Sequence, residues 1–248
     1  MAAHDHDEDD RPHSHDHSHL VHQHRDVQGG AARAAVFGVS DGLVSNVGLI
    51  LGVAAATAES SSVLVAGIAG MLAGAGSMAG GEYLSVKAQA ELVERELDIE
   101  RISIAEKPEE EVRELTAIYE MRGLPAQQAR EVATAIMVNP EVALEVHARE
   151  ELGVDPDSVG DPVAAAASSF GAFGVGAVIP LVPWFFSEGT GAVIASIALG
   201  ILAAITVGVT LAVFTERSKV RTAGRQVAVA VLVAAVTWLI GSAVGAAV

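Results

Sequence analysis

The spacing of hydrophobic and polar residues is neither the alternation of a half-buried strand nor the narrow stripe of a soluble amphipathic helix. Four runs contain no Asp, Glu, Lys or Arg: 63–81, 163–187, 189–215 and 226–248. Each meets or exceeds the roughly 18 apolar residues that mark a helix able to cross a bilayer. A fifth run, 34–58, is equally apolar except for one carboxylate, Asp41. The pattern predicts an all-α membrane protein with five transmembrane helices.

The polar positions between these runs also read as helix. After Ser85 the second span continues as a charged helix through Lys87 to Glu100. Pro108 starts another, with Glu109, Glu110 and Glu111 in the first turn where the helix dipole favours acids, and Gly123 ends it. A third runs from Pro125 to about residue 138. Asn139-Pro140 starts a fourth, which stops at Gly153. An acidic helical insert therefore lies between spans two and three. The expected organisation is a disordered His/Asp-rich tail (1–30), spans one and two (31–90), a metal-binding helical domain (91–161) and spans three to five (162–248).

Charge sharpens this division. Residues 1–30 and 91–161 hold 26 of the 31 acids, and the net charge is −16. That balance argues against nucleic acid as a partner and suits binding of cations. The absence of cysteine excludes disulfides, thiolate zinc sites and iron–sulfur ligation. The first 30 residues lack the basic start of a secretory signal, so the first span is expected to act as its own insertion signal. The connections 59–62 and 187–189 contain no Lys or Arg, whereas 216–225 contains Arg217, Lys219, Arg221 and Arg225. By the positive-inside rule the tail, the insert and the basic loop are cytoplasmic and the C-terminus is outside. The expected location is the plasma membrane of a bacterium.

Asp41 is the first candidate for chemistry. A carboxylate within a membrane-length run costs a few kcal/mol even on lenient insertion scales, which makes it a functional-site hypothesis by default. Ser45 and Gly48 follow at i+4 and i+7 and are expected to share its face. On span two, Met78 and Glu82 lie four apart. A thioether beside a carboxylate suits a borderline transition ion better than Mg2+ or Ca2+, although a lone methionine is more often packing filler. In the insert, Glu91/Glu94, Glu96/Glu100, Glu111/Glu114 and His147/Glu151 stand at helical pair spacings. Such pairs are solvated faces when taken singly, but carboxylates together with an imidazole form the ligand set of metal sites in helical bundles. Eight of the nine histidines lie in the tail. His13, His15, His17 and His19 there are candidates for loose capture of Zn, Ni, Cu or Fe.

Gly38-Val-Ser-Asp-Gly-Leu-Val-Ser45 and Ala73-Gly-Ala-Gly-Ser-Met-Ala-Gly-Gly-Glu-Tyr-Leu-Ser85 resemble motifs of the vacuolar iron transporter family. The Glu-rich insert and Val178-Ile-Pro-Leu-Val-Pro183 extend the resemblance over roughly residues 31–248. It implies a five-helix subunit paired as a homodimer in the lipid bilayer. It further implies proton-coupled movement of Fe2+ or Mn2+ out of the cytoplasm, past Asp41 and Met78. The resemblance assigns insert ligands to Glu100, Glu111, Glu114 and Glu151. Ser103 stands where a further insert glutamate is expected, so Glu96 or Glu106 would compensate. His147 replaces an insert methionine, a change toward Zn2+ or Ni2+; Co2+ is a further candidate ion. Gly30, Ala34 and Gly70 occupy places where some relatives carry acids.

The function expected is transport of divalent transition metals, with no enzymatic activity and no resident cofactor. The alternative is a membrane-anchored carboxylate metal-binding enzyme or a sensor without transport. A di-iron oxidase would call for Glu-x-x-His on two helices, and His147 is the only histidine outside the tail.

Overall fold

The computed structural model describes residues 30–57, 59–156 and 160–247, with side chains from residue 35 onward. The tail histidines His13, His15, His17 and His19 lie outside the described residues. Among those described, every regular element is helical: α1 (Gly30–Ala56), α2 (Ser60–Glu106), α3 (Pro108–Met121), α4 (Ala126–Ile136), α5 (Pro140–His147), α6 (Pro162–Leu181), α7 (Gly189–Phe214) and α8 (Lys219–Gly245). A π turn, Ala148–Leu152, follows α5, and a 3-10 turn, Val182–Phe185, follows α6. The helices α1, α2, α6, α7 and α8 are each long and apolar enough to cross a membrane.

Helix α2 is longer than a bilayer requires. Its 47 residues extend about 70 Å at the usual helical rise. The uncharged half supplies the span and the charged half stands beyond it, so the boundary drawn at residue 90 falls inside one unbroken helix. Local stop signals act as their chemistry dictates. Gly123 and Gly153 end their helices at φ 98° and 65°, in the left-handed region where a Cβ is costly. The Asn139 side chain accepts the Glu141 amide at 3.1 Å, and Asp161 accepts those of Val163 and Ala164 at 2.8 and 3.2 Å.

In the membrane half, α1 is the central helix. It packs most extensively on α6 and α8, and also touches α2 and α7. Lipid gives two apolar helices no hydrophobic reason to associate, so close backbone packing must hold them together. A Cβ on Gly42 would stand 2.1 Å from the Phe173 carbonyl oxygen, and one on Gly176 would stand 2.0 Å from that of Val39. The α1–α6 crossing therefore exists only because both residues lack side chains. On α2, Gly70 accepts the Leu49 side chain and Gly74 the Phe173 ring, so this small-residue pair serves packing within the subunit.

One expectation is corrected: Gly48 is not open beside Asp41, because Val233 and Thr237 of α8 cover it. Leu49, one turn beyond Ser45, continues the exposed stripe instead. Trp184, in the 3-10 turn after α6, is only 4% exposed and packs with Ile50, Val63, Leu181 and Ala192. Its indole N–H donates to Ser196 Oγ at 2.9 Å, and that hydroxyl donates to the Pro180 carbonyl at 2.7 Å. Ser196 thereby supplies a partner to a carbonyl near the end of α6. Helix α7, from which sequence reasoning drew no motif, buries Ala192, Ser196, Gly200, Ala204, Gly208 and Ala212 along one seam. A small residue at every fourth position was the available signal.

Gly176→Ala is expected to destabilise the detergent-solubilised protein by about 1–3 kcal/mol, as overpacking does. Gly171→Ala on the same helix, where a Cβ meets nothing within 4 Å, is expected to leave the melting temperature unchanged. Thermal melts of the two variants check this; equal shifts would contradict the crossing.

Candidate metal centre and membrane carboxylate

The insert brings four candidate ligands from two stretches of chain, 100–111 and 147–151, to one point. Glu100 comes from α2, Glu111 from the first turn of α3, His147 from the end of α5 and Glu151 from the π turn. One ligand atom from each lies within 4.8 Å of the other three. Opposed bonds of about 2.1 Å to a single divalent ion would separate ligands by about 4.2 Å, so one ion fits among these atoms. His147 Nδ1 is 2.7 Å from Glu151, 3.1 Å from Glu100 and 3.8 Å from Glu111. The apolar floor consists of Ile104, Ala143 and Leu144, backed by Leu97, Ile136 and Met137. Leu97 and Ile104 flank Glu100 on α2, which sets the direction of the carboxylate.

The π turn has a local role. Within it Glu151, four residues after His147, meets the ring Nδ1 at 2.7 Å; π turns occur often at functional sites. Its neighbours hold it in place. Glu150 pairs with Arg122 from the end of α3, and Arg149 reaches Glu145 at 2.7 Å and Asp155 at 3.3 Å.

Crowding of acids changes their protonation. Burial, then the charges of Glu151, Glu111 and Glu114 against the opposing effect of His147, push Glu100 up to about 7. Burial and the Glu114 charge push Glu151 up to about 7 as well. Glu111 is raised chiefly by burial. The His147 ring is wholly buried, and its Nε2 has no partner among the described residues. A ring donating Nδ1–H to Glu151 leaves Nε2 as a bare lone pair. To ligate through Nδ1, the ring must carry its proton on Nε2, where no acceptor waits. Three carboxylate oxygens and one imidazole nitrogen suit Fe2+, Mn2+ or Zn2+.

The other predicted insert residues stand around this cluster. Glu114 is exposed at the rim, where its charge acts on Glu151, while Glu96 is half-buried one turn before Glu100. Neither belongs to the close four. Ser103 contributes its backbone carbonyl to the Lys107 amide.

In the membrane half, Asp41 is exposed and accepts the Ser45 hydroxyl at 3.2 Å. Phe37, Asp41, Ser45 and Leu49 form one outward stripe on α1 that the subunit does not cover. Met78 is half-buried and, with Met71, leans on Ala75, Phe173 and Ala177. Phe173 thus wedges between α1, where its backbone meets Gly42, and the methionines of α2. Glu82 is half-buried one turn beyond Met78. Sequence reasoning missed the contact between Gln226 of α8 and the Ser40 hydroxyl. It also missed Asn46, a buried amide on α1; a polar residue at i+5 from Asp41 in an uncharged span was the signal.

Residues 32–242 match a family model described as the VIT family. Vacuolar iron transporter 1 of Eucalyptus grandis is 34% identical over 211 residues, covering 82% of this chain and 84% of its own. Vacuolar iron transporter 1 of Arabidopsis thaliana is 35% identical over 199 residues, with coverage of 79% and 78%. The vacuolar iron transporter of Acanthamoeba castellanii is 38% identical over 161 residues, 64% of this chain and 58% of its own.

Glutamates raised to about 7 hold protons at pH 6 that a metal ion must displace. Affinity of the purified chain for Co2+ is therefore expected to rise between about pH 5 and 7, with proton release that varies with pH. Because these carboxyls bind protons more tightly folded than unfolded, their contribution to metal-free stability is full below about 4.5. It is lost as pH rises to about 7. Calorimetric titration in buffers of different ionisation enthalpy measures the protons released. Glu100→Gln with Glu151→Gln should lower affinity about tenfold or more and flatten the pH dependence.

Proposed function

The chain belongs to the VIT family, and on that premise we propose that it carries Fe2+, with Mn2+ as a second substrate, across a membrane in exchange for protons. Its relatives are named transporters, and this chain is read as a transporter and not an enzyme. The observation that carries the proposal is the Asp41–Ser45 pair, an oxygen-rich patch turned outward from a membrane-spanning helix. Lipid is a poor neighbour for a carboxylate, so a second copy of the chain covers it. Two stripes facing each other across a two-fold axis enclose a path with paired Asp41 and Ser45, and with Met78 and Glu82 of α2 bordering it.

The direction of transport follows from charge. Lys and Arg cluster in the 216–225 connection, on the side of the membrane that the insert shares by parity. With that side cytoplasmic, Glu100, Glu111, His147 and Glu151 gather ions where cytosolic metal arrives. Glu96 and Glu114 border that entrance, and the tail histidines add capacity. Protons compete with metal for the same carboxylates, so a proton gradient drives metal outward. The expected bacterial plasma membrane draws no support from relatives named vacuolar, from plants and an amoeba. The proposal therefore concerns sidedness, with the insert facing the cytoplasm.

Asp41→Asn is expected to reduce metal flux in proteoliposomes to the level of empty vesicles. Insertion, dimer size and Co2+ binding by the insert should stay unchanged. Substantial residual flux would sink the assignment.

A further inference from the structure

Asn46 is the one buried residue in α1 whose polar atoms are half used. It is 2% exposed, and its Nδ2 donates to the Ala177 carbonyl of α6 at 2.6 Å. That bond fixes the amide orientation, since the opposite flip would set two oxygens against each other. The other end, Oδ1, is buried with no donor among the described residues. Buried acceptors in a membrane interior are almost always paired, and an orphan calls for an unseen water or ion.

The surroundings of Oδ1 provide room for one. It lies 3.5 Å from the point where a Cβ on Gly70 would stand, and the missing side chain leaves a notch in α2. Leu49 fills that notch, with Cδ2 2.2 Å from the same point, and is itself 37% exposed on the stripe of Asp41 and Ser45. A rotation of this one flexible side chain opens the notch toward the stripe. Asn46 is five residues past Asp41, about 7.5 Å further along the helix.

We propose that Asn46 Oδ1 is a second station for the transported divalent cation, reached when Leu49 leaves the Gly70 notch. The inference rests on Asp41 lying on the ion path. A neutral carbonyl oxygen suits the deeper position: it replaces part of the hydration shell of a hard or borderline cation but holds it more weakly than a carboxylate. A conducting site must bind well enough to admit the ion and weakly enough to release it.

The test measures Fe2+ flux into proteoliposomes for the full chain, with Asn46→Leu, Asn46→Asp and wild type compared at one pH gradient. Asn46→Leu removes both ends of the amide; Asn46→Asp keeps an oxygen at Oδ1 and removes the donor to Ala177. The expected result is initial flux about tenfold or more lower in Asn46→Leu. Flux persists in Asn46→Asp, with half-saturation at about threefold lower Fe2+, because a carboxylate binds the ion more tightly. Wild-type flux in Asn46→Leu overturns the proposal. So does equal loss in both variants, which assigns Asn46 to the helix contact alone. Should Asn46→Leu fail to fold, as judged by size and melting, Asn46→Asp decides: unchanged half-saturation overturns the proposal. Absence of flux in the wild type would instead sink the transport reading on which it rests.

Discussion

The contact between the backbones of α1 and α6 is the constraint on which the membrane half depends. At Gly42 and Gly176 each helix sits where the other would need a side chain. Van der Waals contact at that distance replaces the hydrophobic drive that lipid withholds. Fixing this crossing fixes the rotation of α1. Leu43, Asn46 and Val47 turn inward, and Asp41 and Ser45 turn out. The same crossing places Phe173 against the α2 methionines. Rotation of α1 by a single residue step would bury the carboxylate and expose the amide.

The two candidate sites obtain their chemistry in opposite ways. The insert assembles four ligands from α2, α3, α5 and the π turn, and burial with mutual repulsion keeps two glutamates near the middle of the physiological pH range. A metal ion binding there would have to displace protons near neutral pH. The membrane candidate has few groups, each on a rigid helix, and Asp41 and Ser45 are left uncovered by the rest of the chain. Helix α2 joins the two, since Glu100 and Met78 lie on one unbroken helix.

Much of this was legible in the sequence, for physical reasons. A span reveals itself as a run without charge, and the limits of α3 and α5 were announced by Pro108, Gly123, Asn139-Pro140 and Gly153. Helical spacing and family motif named Glu100, Glu111, His147 and Glu151, which the structure brings together, along with Glu96 and Glu114, which stand outside the cluster. What could not be read was the rotation of helices in lipid, where apolar residues face both protein and bilayer and amphipathicity is lost. Gly48, covered by α8, was misplaced for that reason. The π turn also escaped, because nothing in Ala148-Arg-Glu-Glu-Leu152 distinguishes it from an ordinary helix end. The closing of four ligands to within 4.8 Å is a tertiary fact that pair spacing alone does not contain.

The central claim is that the chain moves metal ions across a bilayer against a proton flow. The most direct measurement is Fe2+ uptake by liposomes holding the wild-type chain, acidic inside, with Mn2+, Co2+ and Zn2+ as competitors. The account predicts uptake that dissipates the pH gradient and stops when a proton ionophore collapses it. Uptake no greater than in empty liposomes, or uptake indifferent to the gradient, would contradict it.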